Sequence, residues 1–257
     1  METVEHAGRT TAYRYVEATE SGPTVLYVHG SGATHRLWSA QYAPRGPAHP
    51  AVALDLSGHG ESDDAERPRE TAALAAYVED VVAVARATDA TVLVGNSLGG
   101  AVVLQAVLDD RLAPAGMVLA GTGAKLSVTE SLREQLATDF EGAIDTLHGD
   151  DMLFHDPPAR LRDRSVEAMR AVGRAVTRRD FETCHRFDVR DRLGEVTVPT
   201  LAICGEHDRL TPPSYHDYLA ERITTATVET VPAAAHLVMA ERPAAFDEAV
   251  GTFLEGV

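Results

Sequence analysis

The sequence predicts an α/β fold in which a mostly parallel central sheet is flanked by helices. Short apolar runs rich in β-branched residues alternate with longer segments whose apolar residues recur every three or four positions. This alternation is typical of parallel strands that are joined by crossover helices. It stops between residues 125 and 194, where charged helical segments follow one another without an obvious strand. A single crossover needs far fewer than these roughly 70 residues, so the segment predicts a helical insertion.

We therefore predict a core formed by residues 1–124 and 195–257, and a helical cap, or lid, formed by residues 125–194. Apolar runs predict strands at residues 11–17, 24–28, 51–56, 91–94, 116–120, 199–204 and 226–231. Helical spacing predicts core helices at residues 70–88, 98–109 and 242–254. The same criterion predicts cap helices near residues 129–138, 139–148, 158–172 and 179–187.

The composition is typical of a globular protein with one large domain. The chain has 257 residues, of which 44% are hydrophobic, so it can bury a sizeable core. No uninterrupted apolar stretch reaches the roughly 18 residues that a membrane-spanning helix needs. Residues 1–8 lack the basic start and apolar run of a secretory signal, and we expect a cytoplasmic location. Cys184 and Cys204 are too few for a disulfide framework, and we expect both to be ordinary core residues.

The charge limits the possible partners. Asp and Glu number 39 against 23 Lys and Arg, which gives a formal net charge of -16. Nucleic acids and anionic membranes require clustered basic residues, so we expect neither as a partner. We expect a small-molecule substrate and a monomer or homodimer. Lys125 is the single lysine; adaptation to high salt and a GC-rich genome both explain this bias, and the sequence leaves the two open.

The strongest local signal is Gly-Asn-Ser-Leu-Gly at residues 95–99. It lies directly after a predicted strand and directly before a predicted helix, which is the context that a nucleophile on a sharp turn requires. Ser97 is therefore the candidate nucleophile. The N–H of Leu98, at the start of the helix, is a candidate oxyanion donor. The run does not fit the dinucleotide-binding pattern, and no phosphate-binding loop motif is present, so we expect no cofactor.

A serine hydroxyl needs a base, and the base needs a group that orients it. Of 11 histidines, His236 lies in the loop after the last predicted strand. Asp208 lies in the loop after the strand at residues 199–204, where Glu206 is a local competitor. Ligands bind at the carboxyl ends of strands in open α/β sheets. Ser97, Asp208 and His236 are therefore the candidate catalytic residues.

The loop His-Gly-Ser-Gly at residues 29–32 follows the strand predicted at residues 24–28. Its glycines allow the backbone to approach a ligand, and the N–H of Ser31 is the candidate for a second oxyanion donor. The sequence leaves open whether Trp38 lines the substrate pocket or only packs the first helix. Leu237 and Met239, which follow His236, are further candidates for the pocket.

The sequence contains no His-Glu-x-x-His motif and no Cys/His cluster, so we expect no catalytic metal. One polar stretch in the cap remains. Metal binding, substrate contact and a solvated hinge are all open for it, and we expect the hinge. Its polar residues are His148, Asp150, Asp151, His155 and Asp156.

Together these motifs resemble the α/β-hydrolase superfamily over nearly the whole chain. The matching segments are residues 29–32, 55–62, 95–100, 205–208 and 235–243. The resemblance implies the α/β-hydrolase fold with a helical cap, and the chain order Ser, Asp, His for the catalytic residues. It also implies structural roles for Asp55 and His59. Ala235 departs from the glycine that often precedes the catalytic histidine in relatives.

The resemblance implies acyl transfer, because relatives that act on alkyl halides or epoxides have an aspartate where this chain has Ser97. We expect a small-molecule carboxylesterase or lactonase that forms an acyl-enzyme on Ser97. A carbon–carbon bond hydrolase or lyase with the same three residues is an alternative. A ligand receptor with slow turnover is another, although the presence of all three residues favours an enzyme. The acyl group and leaving group depend on how the cap folds over Ser97.

Overall fold

A computed structural model of the chain describes residues 1–18, 22–42, 49–65 and 72–257. The strands are β1 (Glu2–His6), β2 (Arg9–Val16), β3 (Val25–Val28), β4 (Ala51–Leu54), β5 (Val92–Asn96), β6 (Gly116–Ala120), β7 (Thr200–Gly205) and β8 (Ala226–Val231). They form one sheet in the spatial order β1-β2-β4-β3-β5-β6-β7-β8. β2 is antiparallel to both of its neighbours, and the pairs from β4 to β8 are parallel. The predicted fold class is confirmed.

The helices flank this sheet. They are α1 (Ser39–Tyr42), α2 (Ala73–Ala87), α3 (Leu98–Leu108), α4 (Glu130–Thr138), α5 (Phe140–Leu147), α6 (Ala159–Val172), α7 (Arg174–Arg186), α8 (Pro213–Arg222), α9 (Val238–Glu241) and α10 (Pro243–Leu254). Two 3₁₀ helices span His35–Trp38 and Arg190–Glu195. In the part of the chain that is described, no helix has the length and apolar character needed to cross a membrane.

The helical insertion lies between β6 and β7, where α4 to α7 follow one another. α7 begins at Arg174, five residues before its predicted start at residue 179. The reason is Gly173, whose φ of 84° ends α6 and lets the next helix begin at once. The division into core and cap at residues 124 and 195 stays a prediction.

Some elements differ from the prediction. β1 was not predicted, because it is a largely exposed edge strand with only one apolar residue in the sequence Glu-Thr-Val-Glu-His. α8 was not predicted either, since its segment is rich in polar and aromatic residues. Of the helix predicted at residues 70–88, residues 70 and 71 lie outside the described residues, and α2 covers residues 73–87 of the remainder.

The central strands β3 to β7 are buried on both faces of the sheet. Leu26 and Val28 of β3 pack into the apolar cluster on one face, whereas Val25 and Tyr27 pack into the cluster on the other. This double burial explains why the strand sequences read as continuous apolar runs rather than alternating ones. Truncation of a core leucine such as Leu26 to alanine is expected to cost about 2–5 kcal/mol.

The sheet register brings the candidate residues to one edge. Val28, at the end of β3, pairs with Gly95 in β5, and Gly205, at the end of β7, pairs with Val231 at the end of β8. Because these strands are parallel, their carboxyl ends lie at the same edge of the sheet. The loops that carry Ser31, Ser97, Asp208 and His236 therefore start from one edge.

Candidate active site

Ser97 occupies the sharp turn between β5 and α3. Its backbone has φ 54° and ψ -116°, a conformation that residues other than glycine rarely adopt. Two glycines make the turn possible. A Cβ on Gly95 would lie 2.4 Å from the carbonyl oxygen of Gly99, and a Cβ on Gly99 would lie 2.3 Å from that of Val28. The strained backbone that the sequence predicts at Ser97 is therefore present.

Asp208 and His236 form a buried pair. Asp208 Oδ2 lies 2.9 Å from His236 Nδ1, and Asp208 is 2% exposed. Asp208 Oδ1 accepts hydrogen bonds from the N–H groups of Leu210 and Thr211 at 2.8 and 2.9 Å. Burial alone raises the pKa of Asp208, but His236 and the Thr211 donors outweigh it, so the pKa is lowered. An ionised Asp208 can only accept hydrogen bonds, so the proton of a neutral His236 lies on Nδ1. Nε2 then carries a lone pair and can accept a proton.

Ser97, His236 and Ser31 line one cavity of about 1310 Å³. Core loops form part of its wall, and the insertion forms much of the rest. Apolar insertion residues on the wall include Leu132, Met152, Phe154, Leu161, Met169 and Phe181. Ser97 Oγ makes no hydrogen bond to any residue that the structure describes.

The two predicted oxyanion donors lie beside Ser97. Leu98 is the first residue of α3, and its side chain is fully buried. The 29–32 loop approaches the same turn so closely that a Cβ on Gly30 would lie 3.1 Å from Ser97 Cβ. The backbone of the loop can therefore reach a group bound at Ser97. The donor roles of Ser31 and Leu98 stay predictions.

The prediction for the pocket is only partly right. Leu237 lines the cavity, but Trp38 and Met239 do not. The indole of Trp38 is fully buried, with ring centroids 5.0 Å from Tyr27 and 5.9 Å from Phe246. Trp38 ends the 3₁₀ helix His35–Trp38, and Met239 lies in α9. Both side chains point into the apolar core, because burial there removes them completely from water.

The profile of the family described as "Alpha/beta hydrolase family" matches residues 25–249. The chain belongs to the α/β hydrolase family. Among curated proteins, this α/β hydrolase is similar to a pimeloyl-[acyl-carrier protein] methyl ester esterase of Neisseria meningitidis. The two are 30% identical over 247 residues, which cover 91% of this chain and 77% of the relative.

Solved structures agree with this assignment. A thermophilic esterase superposes on the hydrolase with a TM-score of 0.86 at 29% identity, covering 99% of this chain and 97% of the other. A hydrolase from Pseudomonas aeruginosa gives a TM-score of 0.81 at 29% identity, covering 98% and 97%. The sequence-based assignment to the α/β-hydrolase superfamily is confirmed.

The structure adds contacts around the hydrolase site that the sequence did not indicate. Thr211 Oγ1 donates to Asp208 Oδ2 at 2.8 Å and lies 3.1 Å from His236 Nδ1. Asn96 Nδ2 donates to the His236 carbonyl at 3.4 Å. Glu241 accepts from the N–H of Ala235 at 2.7 Å and so holds the loop that carries His236. In the sequence, Thr211, Asn96 and Glu241 were marked only by their short distance along the chain from the candidate residues. Such closeness does not predict a particular contact.

His29 and Asp55 serve the architecture around the site. Asp55 Oδ1 accepts the backbone N–H of His35 at 2.7 Å and lies 2.9 Å from His35 Nδ1. His29 Nε2 accepts the Leu56 N–H at 3.1 Å. Burial lowers the pKa of His29 to about 4. His29 is therefore neutral at pH 7 and joins two loops.

The polar stretch of the insertion contacts the core. His155 Nδ1 lies 2.6 Å from Asp151 Oδ1, and the His155 ring stacks on that of His207 at 3.6 Å and 3°. Among the described residues, these three place one ligand atom each within 4.8 Å of the others. Parallel stacked rings direct their lone pairs side by side rather than toward one point, so metal binding would require a ring to rotate. None of the three lines the cavity.

Both cysteines are free and buried. Cys204 lies in β7, as expected for a core residue. Cys184 lies on α7 and also lines the cavity. Burial raises the pKa of the Cys184 thiol to about 12, so it is protonated at pH 7 and is not a nucleophile of the papain type.

Proposed function

We propose that the protein hydrolyses a small-molecule carboxylic ester or lactone through an acyl-enzyme on Ser97. One observation carries the proposal: a strained Ser97 and a buried Asp208–His236 pair open onto the same cavity. The family and the esterases among the similar proteins support the same class of reaction.

In the proposed reaction, Ser97 Oγ attacks the carbonyl carbon while His236 Nε2 accepts the hydroxyl proton. The negative charge on the carbonyl oxygen is stabilised by the N–H groups of Ser31 and Leu98. His236 then protonates the leaving alkoxide, and the acyl group stays bound to Ser97 Oγ. Water attacks this acyl-enzyme while His236 accepts its proton, and His236 returns the proton to Ser97 Oγ as the acid leaves. Asp208 keeps the proton on His236 Nδ1 and stabilises the imidazolium.

The cavity walls bear on the class of substrate. A volume of about 1310 Å³ holds more than a short acetate ester. Its wall combines apolar side chains with Arg36, Arg164 and Arg209. We expect a substrate with an apolar chain and a polar or anionic end, hydrolysed by a monomer or homodimer without a cofactor.

The test is hydrolysis of p-nitrophenyl esters from acetate to octanoate by wild type, Ser97→Ala and Ser127→Ala. Ser127 is a matched control because it is a serine that lines the same cavity but does not belong to the turn at residues 95–99. We expect Ser97→Ala to reduce kcat by about 10⁴-fold or more and Ser127→Ala to leave it within a few-fold. The rate profile with chain length measures the depth of the pocket.

A serine-reactive fluorophosphonate, followed by mass spectrometry, separates the other outcomes. Labelling of Ser97 without ester turnover would direct the search to lactones and to the carbon–carbon bonds of β-diketones. Ester turnover that survives in Ser97→Ala would contradict the proposed nucleophile. If neither turnover nor labelling occurs, the chain is better described as a binding protein on a hydrolase fold.

A further inference from the structure

The insertion contributes a buried carboxylate to the loop that approaches Ser97. Asp180 lies on α7 and is fully buried. Asp180 Oδ2 accepts the backbone N–H of Gly32 at 3.1 Å and lies 2.9 Å from His59 Nε2. Asp180 Oδ1 accepts the Tyr77 hydroxyl at 2.6 Å. One side chain of the insertion thus joins three separate segments of the core.

The partner of Asp180 carries a positive charge. His59 Nδ1 lies 3.2 Å from the Ser57 carbonyl, which can only accept a hydrogen bond. Because Asp180 also accepts, both ring nitrogens must carry protons. Burial lowers the pKa of His59, but the Asp180 charge outweighs it and the pKa is raised. Asp180 and His59 therefore form an ion pair inside the protein.

Further contacts hold Asp180 in place. Tyr77 OH, which donates to Asp180, accepts a hydrogen bond from Arg179 Nε at 3.0 Å. Arg179 also donates to the Ser57 carbonyl at 2.9 Å and to Asp64 at 2.8 Å. A buried network with all of its members hydrogen-bonded is rigid, and it favours a single arrangement.

α7 contacts the 29–32 loop at more than one point. Gly32 has φ 66°, and a Cβ there would lie 3.3 Å from Thr177 Cγ2. Cys184 Sγ lies 3.7 Å from Ser31 Oγ. Thr177, Asp180 and Cys184 are spaced three and four residues apart and so share one face of α7. That face lies against Ser31 and Gly32.

We propose that Asp180 is a positioning residue that holds the peptide between Ser31 and Gly32, and thereby aims the Ser31 N–H at the oxyanion. The inference rests on the proposed function, because it assigns the Ser31 N–H to the reaction. The hydrogen bond to the Gly32 N–H restrains rotation of the Ser31–Gly32 peptide. The Gly30–Ser31 peptide, which carries the Ser31 N–H, is joined to it at the Ser31 Cα, so its movement is restrained as well. A donor displaced by about 1 Å can cost about 10²-fold in rate, so the insertion completes a site that the core alone leaves loose.

The test compares Asp180→Asn, Asp180→Ala and Glu182→Gln in the full chain. Asn keeps an oxygen that can accept the Gly32 N–H, whereas Ala removes it. Glu182 is a matched control on the same helix, since its carboxylate pairs with Arg133 and does not line the cavity. We expect kcat for the best ester to fall by about 10-fold in Asn and about 10²-fold in Ala. KM should change little, and Glu182→Gln should stay within twofold.

Two further readouts separate positioning from a general loss of structure. A trifluoromethyl ketone forms a tetrahedral oxyanion on a nucleophilic serine, so its inhibition constant should rise by the same factor as kcat falls. The Gly32 amide should exchange its hydrogen at least about tenfold faster in Asp180→Ala. If Asp180→Ala does not fold, Tyr77→Phe removes one donor to Asp180, and we expect a severalfold loss in kcat with KM unchanged.

A kcat within threefold of wild type in folded Asp180→Ala would overturn the inference. An unchanged hydrogen-exchange rate at the Gly32 amide would also overturn it. A loss of kcat/KM that comes from KM alone would do the same. Failure of the proposed function looks different: wild type would show neither Ser97-dependent turnover nor labelling. The exchange measurement still tests the Asp180 contact in that case, because it needs no substrate.

Discussion

Two of the buried aspartate–histidine pairs among the described residues have the same separation but differ in what surrounds the second ring nitrogen of the histidine. Asp208 Oδ2 lies 2.9 Å from His236 Nδ1, and Asp180 Oδ2 lies 2.9 Å from His59 Nε2. His236 lines the cavity, where its second nitrogen can meet a substrate. The second nitrogen of His59 is occupied by a backbone carbonyl, and the ring is fully buried.

The comparison shows that the second nitrogen decides what such a pair can do. A histidine with one free nitrogen can accept a proton during a reaction and return it. A histidine with both nitrogens held by acceptors stays an imidazolium and acts as a fixed charge. The first pair is suited to catalysis and the second to holding the insertion on the core.

Removal of Asp208, the proposed catalytic acid, should give the largest effect. We expect Asp208→Asn to reduce kcat by about 10⁴-fold, because His236 loses the correct tautomer and the stabilised imidazolium. Glu206→Gln is the matched control, since Glu206 is the other acid in the same loop and is exposed. The measurement is steady-state kinetics on the best ester. The assignment fails if Glu206→Gln shows the loss and Asp208→Asn does not.

Loss of His59 from the second pair should lower the stability of the protein. His59→Gln leaves the Asp180 carboxylate buried without its cation, and we expect the free energy of unfolding to fall by about 3–5 kcal/mol. Urea unfolding measures this. The control is His155→Gln, whose partner Asp151 is about one-third exposed, with an expected loss of about 1 kcal/mol or less. The double variant His59→Gln/Asp180→Asn should lose less than the sum of its parts, and strict additivity would contradict the pair.

Two neutral buried histidines should make the protein sensitive to acid. Burial lowers the pKa of both His29 and His216 to about 4, against 6.5 for the unfolded chain. The unfolded state therefore binds more protons between these values, so stability falls as the pH drops from about 6.5 to 4. We expect up to about 3 kcal/mol for each histidine.

His59 acts in the opposite sense. Its pKa is raised, so its contribution is complete below the unfolded pKa and is lost as the pH rises through the folded pKa. Urea unfolding at several pH values checks both effects. The slope of the free energy of unfolding against pH counts the protons taken up on unfolding, and His216→Gln should reduce it by up to one proton between pH 4 and 6.5. A slope equal to that of wild type would show that His216 does not contribute to the acid sensitivity.

Loss of the bridging hydroxyl should have a smaller effect. Thr211→Val keeps the shape but removes the donor to Asp208, and we expect kcat to fall by about 10-fold with KM nearly constant. Thr227→Val on the exposed side of β8 is the control and should leave both constants unchanged. Equal kinetics in the two variants would show that the bridge does not tune the catalytic pair.

Salt should have the smallest effect on the two aspartate–histidine pairs, because it screens surface charges more than buried pairs. If the net charge of -16 reflects adaptation to high salt, the free energy of unfolding should rise between low and molar sodium chloride. Urea unfolding at both concentrations measures it. An unchanged value would favour the genomic explanation of the low lysine content.

Much of the core could be predicted because its signals are local. The apolar runs of β3 to β7 are continuous since both faces of these strands are buried, and Ser97 is recognisable since its turn requires glycines at fixed positions. Trp38 shows where this reasoning fails. An aromatic residue next to a loop fits a pocket or a core equally well, and only the direction of the 3₁₀ helix decided that it is core.

The sequence by itself determined the α/β class, the strands from β2 to β8 and the candidates Ser97, Asp208 and His236, because each of these follows from periodicity or from a motif at the end of a strand. Only the tertiary structure decided that Asp180 meets His59 and the 29–32 loop. Asp180 and Gly32 are separated by 148 residues, and no local pattern marks either as a partner of the other. Their contact depends on how α7 packs across the core, and packing of distant segments is a property of the folded chain as a whole.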